Sequence, residues 1–157
     1  KAASEQLVAE LGSTNRFWRQ HAQRLIVESN NFGSTQMLIE RVNDQAIDEV
    51  GLNTELVHVL WALHGRKVLD GQNNDAIKAV TNALRHPSAS VRLNAIRVLP
   101  RDAKTTASLL QSGVMSDPHP QVKLAAYLAL AELPALDAFL LLIDHADVSA
   151  GAQTSSR

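Results

Sequence analysis

Four seven-residue segments of the chain align without gaps, each centred on a small aliphatic residue: Gln20 to Ile26, Val57 to Leu63, Leu93 to Leu99 and Leu124 to Leu130. Their centres, Ala22, Val59, Ala95 and Ala126, are spaced by 37, 36 and 31 positions. That interval is the span of two helices and a turn. The flanks repeat as well. Eight residues before each centre stands Thr14, Gly51, Pro87 or Pro118, and four before it stands Trp18, Glu55, Val91 or Val122. A chain with this period folds by stacking, because a single helical pair cannot bury its own apolar face and needs a neighbour on each side.

The units read as helical pairs. Asp75 to Arg85 places Ile77, Val80, Ala83 and Leu84 on one stripe, His86-Pro87-Ser88 breaks it, and Ser88 is placed to cap a second helix with Val91, Ala95, Val98 and Leu99 on one face. In the fourth pair Ala107, Leu110 and Val114 belong to the first helix. Asp117-Pro118 makes the turn, and Val122, Ala126, Ala129 and Leu130 line the second helix. The first pair is expected at Glu5–Leu11 and Asn15–Glu28. In the second, Met37, Leu38, Glu40, Arg41 and Ile47 suggest one helix that ends at Gly51, and Asn53 or Thr54 opens Glu55–His64. Period-two alternation is nowhere sustained, so strands are not expected. The spacing predicts an all-α, right-handed α-α superhelix of about four and a half pairs over residues 1–148, with a small polar tail at 149–157. The first residue is Lys1 and no signal-peptide pattern follows it, which suggests a piece of something longer.

Composition narrows the chemistry. With no cysteine, disulfides, thiolate metal sites and cysteine nucleophiles are excluded from these residues. Fifteen basic against sixteen acidic side chains lack the excess that a general nucleic-acid binder uses to displace counterions. Apolar runs such as Leu124 to Ala131 and Ala138 to Ile143 fall far short of the roughly 20 residues that span a bilayer. Phosphate-loop and dinucleotide glycine patterns are absent.

The stretches His86-Pro87-Ser88-Ala89-Ser90-Val91-Arg92-Leu93-Asn94-Ala95-Ile96-Arg97-Val98-Leu99 and Asp117-Pro118-His119-Pro120-Gln121-Val122-Lys123-Leu124-Ala125-Ala126-Tyr127-Leu128-Ala129-Leu130 resemble HEAT repeats, with their turn proline, valine-basic pair, alanine and closing leucine. More narrowly, Asn15 to Leu25 together with Leu60 to Gly65 resembles the HEAT region of large exported proteins of Planctomycetes and Bacteroidetes. That likeness implies a neighbouring sugar-dehydrogenase-like propeller and often a c-type cytochrome domain, and hence a periplasmic or exported location. Neither domain's motifs occur in these residues, so no redox chemistry is assigned to them and no cofactor is expected. The second pair departs from the pattern at Glu55 and Gly51, where an altered superhelical step is expected.

Few side chains stand out as functional. His21 and His58 occupy equivalent places in consecutive second helices and are expected to form a short ladder about 10 Å apart. His58 and His64 are six residues apart, which is the wrong spacing for a helical zinc pair. Arg92 and Lys123, with Arg19 matching them, form a row of equivalent cations suited to local pairing, with Asp117 a candidate acceptor, or to an acidic partner. Trp18 takes the valine place and is expected to face the core, whereas Trp61 lies nearer the surface as an interface anchor. Asp44, Asp48 and Glu49 cluster at a helix end and Asp102, Asp144 and Asp147 are scattered, with no nucleophile or base in a common frame.

The last apolar segment, Leu136 to Ala146, carries Phe139, Leu141 and Leu142 on more than one face, too broad a stripe for a terminal element with one side in solvent, and is expected to dock on a neighbour. Trp61, Arg92, Lys123, Phe139, Leu141 and Leu142 are therefore the candidate interface residues of a non-catalytic interaction or spacer module. Its expected partner is a protein or a neighbouring domain, without nucleic acid or a membrane span. The alternative is an enzyme of the HEAT-like DNA glycosylase type, which would need a basic groove.

Overall fold

The computed structural model describes residues 2–29, 32–71, 73–132 and 143. The chain divides into two compact units, residues 1–100 and 101–157. Every regular element among the described residues is helical.

The first unit contains three helical pairs: α1 (Ala2–Glu10) with α2 (Arg16–Glu28), α3 (Phe32–Arg41) with α4 (Thr54–Gly65), and α5 (Asn74–Asn82) with α6 (Ala89–Val98). A 3₁₀ turn, Ala83–Arg85, extends α5. First helices stack in one layer, α1 on α3 on α5, and second helices in the other, α2 on α4 on α6. The repeated central residues line the second layer, where Ala22, Val59 and Ala95 are all buried. Their small side chains let helix axes approach closely. Gly65 marks the tightest point: a Cβ there would lie 2.8 Å from Cγ2 of Val27, so α4 meets α2 with no room for a side chain.

Polar caps define the helix ends. Asn15, Asn53 and Asn73 each accept a backbone N–H of the first turn, from Phe17, Leu56 and Ala76 respectively, which satisfies donors that the helix leaves open. Asn53 thus opens α4 at the expected place. Ser88 sits at the cap position of α6, but its hydroxyl pairs with Ser90 Oγ at 2.9 Å and makes no capping bond to the backbone. The third pair otherwise has the expected core, with Ile77, Val80, Ala83, Leu84, Val91, Ala95, Val98 and Leu99 buried.

The second pair differs from its reading. α3 ends at Arg41, and residues 42–53 form an irregular connection in which Ile47 is exposed. Ile47 therefore does not extend α3, and Gly51, at φ +78°, belongs to the turn closed by its N–H to Asp48 O. The acids of this segment make that turn: Asp44 Oδ1 accepts the Ala46 N–H, and Asp48 Oδ1 accepts those of Val50 and Leu52.

The second unit, over its described residues, is one pair. Asp102 caps α7 (Ala103–Ser112) through the Thr105 N–H at 2.8 Å. Gly113 stops the helix at φ +87°, a conformation that excludes most side chains, and a 3₁₀ turn over Val114–Ser116 leads to α8 (Pro120–Ala131). Leu110, Val114, Val122, Ala126, Ala129 and Leu130 are buried, as the stripe predicts, although Val114 lies in the 3₁₀ turn beyond α7; Ala107 is only half-buried, and Leu109 is buried instead. The expected fifth first-helix at Leu136–Ala146, with Phe139, Leu141 and Leu142, and the tail at 149–157 lie outside the described residues, Ile143 apart.

Candidate protein-interaction surface

An open surface of the first unit lies between α1 and α2. A groove of about 610 Å³ runs there, lined by Gln6, Leu7, Glu10, Ser13, Trp18, His21, Ala22 and Leu25. Trp18 and His21 of α2 line it, and exposed Phe17 joins them in an aromatic cluster. Phe17 meets Trp18 edge-on at 5.2 Å between ring centres and stacks on His21 at 5.8 Å with planes 6° apart. Trp18 meets the His21 ring edge-on at 6.3 Å. Arg24 Nη2 donates to His21 Nδ1 at 3.4 Å, so one ring nitrogen is held as an acceptor.

Trp18 corrects the sequence reading. It is 50% exposed, although Val91 and Val122 at the equivalent places are buried. The residue occupies the core register, but α1 and α2 supply only one side of the core and leave this face open. Leu25 repeats the pattern: it is half-buried, whereas its equivalents Ala62, Val98 and Ala129 are buried.

The basic row serves the turns. Arg19 Nη1 donates to Ser13 O at 2.7 Å and Thr14 O at 3.0 Å, and Arg92 Nη1 donates to His86 O and Pro87 O, both at 2.8 Å. Equivalent arginines thus bind equivalent carbonyls, six and five residues back, closing the turn that precedes each second helix. Lys123 stands at the same place on α8, half-buried, with a single nitrogen where arginine has a fork. Asp117, six residues earlier and buried, accepts the His119 N–H at 2.8 Å. Arg66 does similar work between pairs. Its Nη1 donates to Ile26 O and Ser29 O at 2.7 and 2.6 Å, capping the end of α2 from the end of α4, and burial lowers its pKa.

Trp61 is half-buried and ties α4 to α6, its Nε1–H donated to Asn94 Oδ1 at 2.9 Å while its ring meets His64 edge-on. His58 makes the matching tie one pair earlier, with Nδ1 2.6 Å from Gln23 Oε1. The expected ladder of His21 and His58 is therefore a row of polar ties between successive second helices, His58 to Gln23 and Asn94 to Trp61. Burial lowers the pKa of His58, assisted by the charges of Arg19 and Arg16.

His86 is the buried polar residue that sequence reasoning treated only as a turn. It is 1% exposed and spans two pairs. Its Nδ1 accepts the Ser88 N–H at 3.0 Å, which places the ring proton on Nε2, and Nε2 donates to Asp44 O at 3.0 Å. Burial lowers its pKa against the opposing influence of the Asp44 carbonyl and carboxylate, and Arg92 lowers it further. The signal was available in the sequence: a histidine directly before the turn proline, with a capping-type serine two residues later.

Among the described residues no group of three metal-capable side chains comes together, and no helix is long and apolar enough to cross a membrane. Asp144 and Asp147 lie outside the described residues.

Residues 77–154 match the family model of HEAT repeats. No curated protein and no solved structure matches the chain. The matched stretch begins inside α5 and takes in the two pairs whose turns carry proline. The match covers just under half of the chain; with the helical pairs it supports a HEAT-like α-solenoid, and HEAT repeats suggest a protein-interaction or scaffold module.

Proposed function

We propose that this HEAT-like solenoid is a non-catalytic docking and spacer module whose α1–α2 face receives a polypeptide partner. One observation supports the reading above the others: Trp18 and Leu25 hold places that are buried in the third and fourth pairs, yet in the first pair Trp18 is half-exposed and Leu25 half-buried, both lining a groove with one acidic and one histidine side chain. A half-exposed tryptophan flanked by leucines is the kind of anchor that carries binding energy at protein interfaces. Rigid stacking serves the same end, because the groove is held by two packed helices and little ordering entropy is lost on binding. The likeness of Asn15–Leu25 and Leu60–Gly65 to exported planctomycete and Bacteroidetes proteins supports a place in a larger exported oxidoreductase, in which this segment positions the active domain.

Site-specific photo-crosslinking tests the docking face. Benzoylphenylalanine at position 18, in the protein expressed in its own host, is expected to capture a polypeptide, with no capture from a control at exposed Lys78. Equal yields at both positions, or no polypeptide adduct at position 18, overturn the reading.

A further inference from the structure

We infer that the connection between α3 and α4, residues 42–53, is a second interaction surface, one that takes a polypeptide segment carrying lysine or arginine among apolar side chains. It is independent of the α1–α2 groove. Connections between paired helices usually run about 2–8 residues, and longer ordered ones are commonly functional. This one is built rather than slack. Asp48 Oδ1 accepts the N–H groups of Val50 and Leu52 at 3.0 and 2.8 Å, and Leu52 O accepts the Asp48 N–H at 2.8 Å. Asn53 Nδ2 donates to Ala46 O at 2.9 Å, and His86 Nε2 holds Asp44 O at 3.0 Å. Because one carboxylate oxygen takes both N–H groups, Val50 and Leu52 are drawn into a single turn that begins next to Ile47.

Three large aliphatic residues on this turn face water: Ile47 is 50% exposed, Val50 77% and Leu52 40%. The second pair has a stacked neighbour on either side, with α3 between α1 and α5 and α4 between α2 and α6. Their exposure is therefore not that of the end of a stack. Aliphatic residues grouped at the surface in this way, rimmed by polar ones, mark interaction sites. Charge selects the occupant. Asp44, Asp48 and Glu49 are exposed on the same segment, and residues 42–53 contain no lysine, arginine or histidine. Among the described residues no ion pair reaches any of the three. The flanking cations are engaged elsewhere, Arg41 by Glu55 and Arg92 by the carbonyls of His86 and Pro87. An apolar turn with an uncompensated acidic rim repels anionic lipid and nucleic acid, whereas a basic segment with apolar side chains complements both of its features.

A short peptide of leucine and lysine at helical spacing, labelled with fluorescein, is the probe, and its leucine–glutamate counterpart is the control. Fluorescence anisotropy should show the lysine peptide binding with a dissociation constant on the order of 100 micromolar, because the patch is small, and the glutamate peptide not binding. Val50→Ser and Glu49→Lys each remove one feature and should each weaken binding about tenfold. Both positions are exposed, so the helical circular dichroism should not change. Should Val50→Ser alter it, Ile47→Ser takes its place with the same expected outcome. The chain has no cysteine, so Val50→Cys gives a single attachment point for a benzophenone maleimide. Its adduct with the lysine peptide should exceed that from exposed Lys78→Cys. No binding of the lysine peptide, equal binding of the two peptides, equal adducts, or unchanged affinity in either variant overturns the inference. Sedimentation with phosphatidylglycerol vesicles that Val50→Ser abolishes would assign the turn to a membrane surface and overturns it as well. None of these readings involves the position-18 crosslink, so the two surfaces stand or fail separately.

Discussion

The second and third helical pairs belong to the same stack yet close their turns by opposite means. Between the α5 extension and α6 the connection is three residues, His86-Pro87-Ser88, with proline fixing one dihedral and Arg92 binding two turn carbonyls. Between α3 and α4 it runs over residues 42–53, shaped by Asx turns at Asp44 and Asp48 and by the Asn53 side-chain N–H donated to Ala46 O. At the equivalent place on the second helix, the third pair buries Val91, while the second pair presents Glu55 to Arg41 as an ion pair. The short turn is self-sufficient. The long one is pinned from outside by His86, whose Nε2–H reaches Asp44 O. Regularity in one pair is therefore used to hold the irregular neighbour.

Breaking that pin should have the largest effect. His86→Ala leaves the Asp44 carbonyl and the Ser88 N–H without their side-chain partner and opens a cavity, a loss of about 2–4 kcal/mol in urea unfolding. Hydrogen exchange should show faster opening at residues 43–53 than in α6. Acidification tests the same contact in the native chain. The folded-state pKa of His86 lies below its ordinary value of 6.5, so the unfolded chain takes up the proton first as pH falls. Its contribution is fully present above about pH 6.5 and is lost as pH drops from there toward the folded value. His58, also lowered, adds in the same direction. His86→Ala should flatten this dependence relative to wild type. An unchanged slope would show that the pin is not titrating.

Legibility in the sequence followed the same division. Where a position is repeated in chemistry as well as spacing, as at Val91 and Val122, the sequence predicts burial and the structure has it. Trp18 shared the spacing, but exposure depends on which neighbours are stacked there, and a periodic pattern is blind to that. The loop at 42–53 was missed because Ile47 continues a helical spacing locally, while Asp44 and Asp48 favour turns by bonding their own backbone. Arg19 and Arg92 were read as surface charges because a sequence does not show that a guanidinium can fold back onto carbonyls five and six residues earlier. The match to HEAT repeats begins in α5, where turn chemistry becomes regular.

An intermediate effect is expected at the turn arginines, where the first and third pairs agree. Arg92→Met keeps the apolar stem and removes the donors to His86 O and Pro87 O, costing about 1–2 kcal/mol in urea unfolding. Arg92→Lys should recover part of it, because one ammonium reaches carbonyls without the planar fork. Arg19→Met should lose a comparable amount if both turns depend on the same device. A loss confined to Arg92 would show that only the proline turn needs it.

The smallest effect should come from making the second pair resemble the third. Glu55→Val replaces the carboxylate that pairs with Arg41 by the aliphatic residue found at the equivalent places on α6 and α8. Glu55 is only partly exposed and its Oε2 lies where a Gly12 Cβ would clash, at 2.6 Å, so the site is narrow and valine relieves it. Loss of a partly exposed ion pair and gain of apolar contact nearly cancel, leaving stability within about 1 kcal/mol of wild type. The distinguishing readout is salt. Wild-type stability should fall slightly between low and high ionic strength as the Arg41–Glu55 attraction is screened, and that dependence should shrink in the variant. Equal salt dependence in both proteins would mean that the ion pair is not what sets the second pair apart, leaving its long connection and the His86 pin as the physical difference.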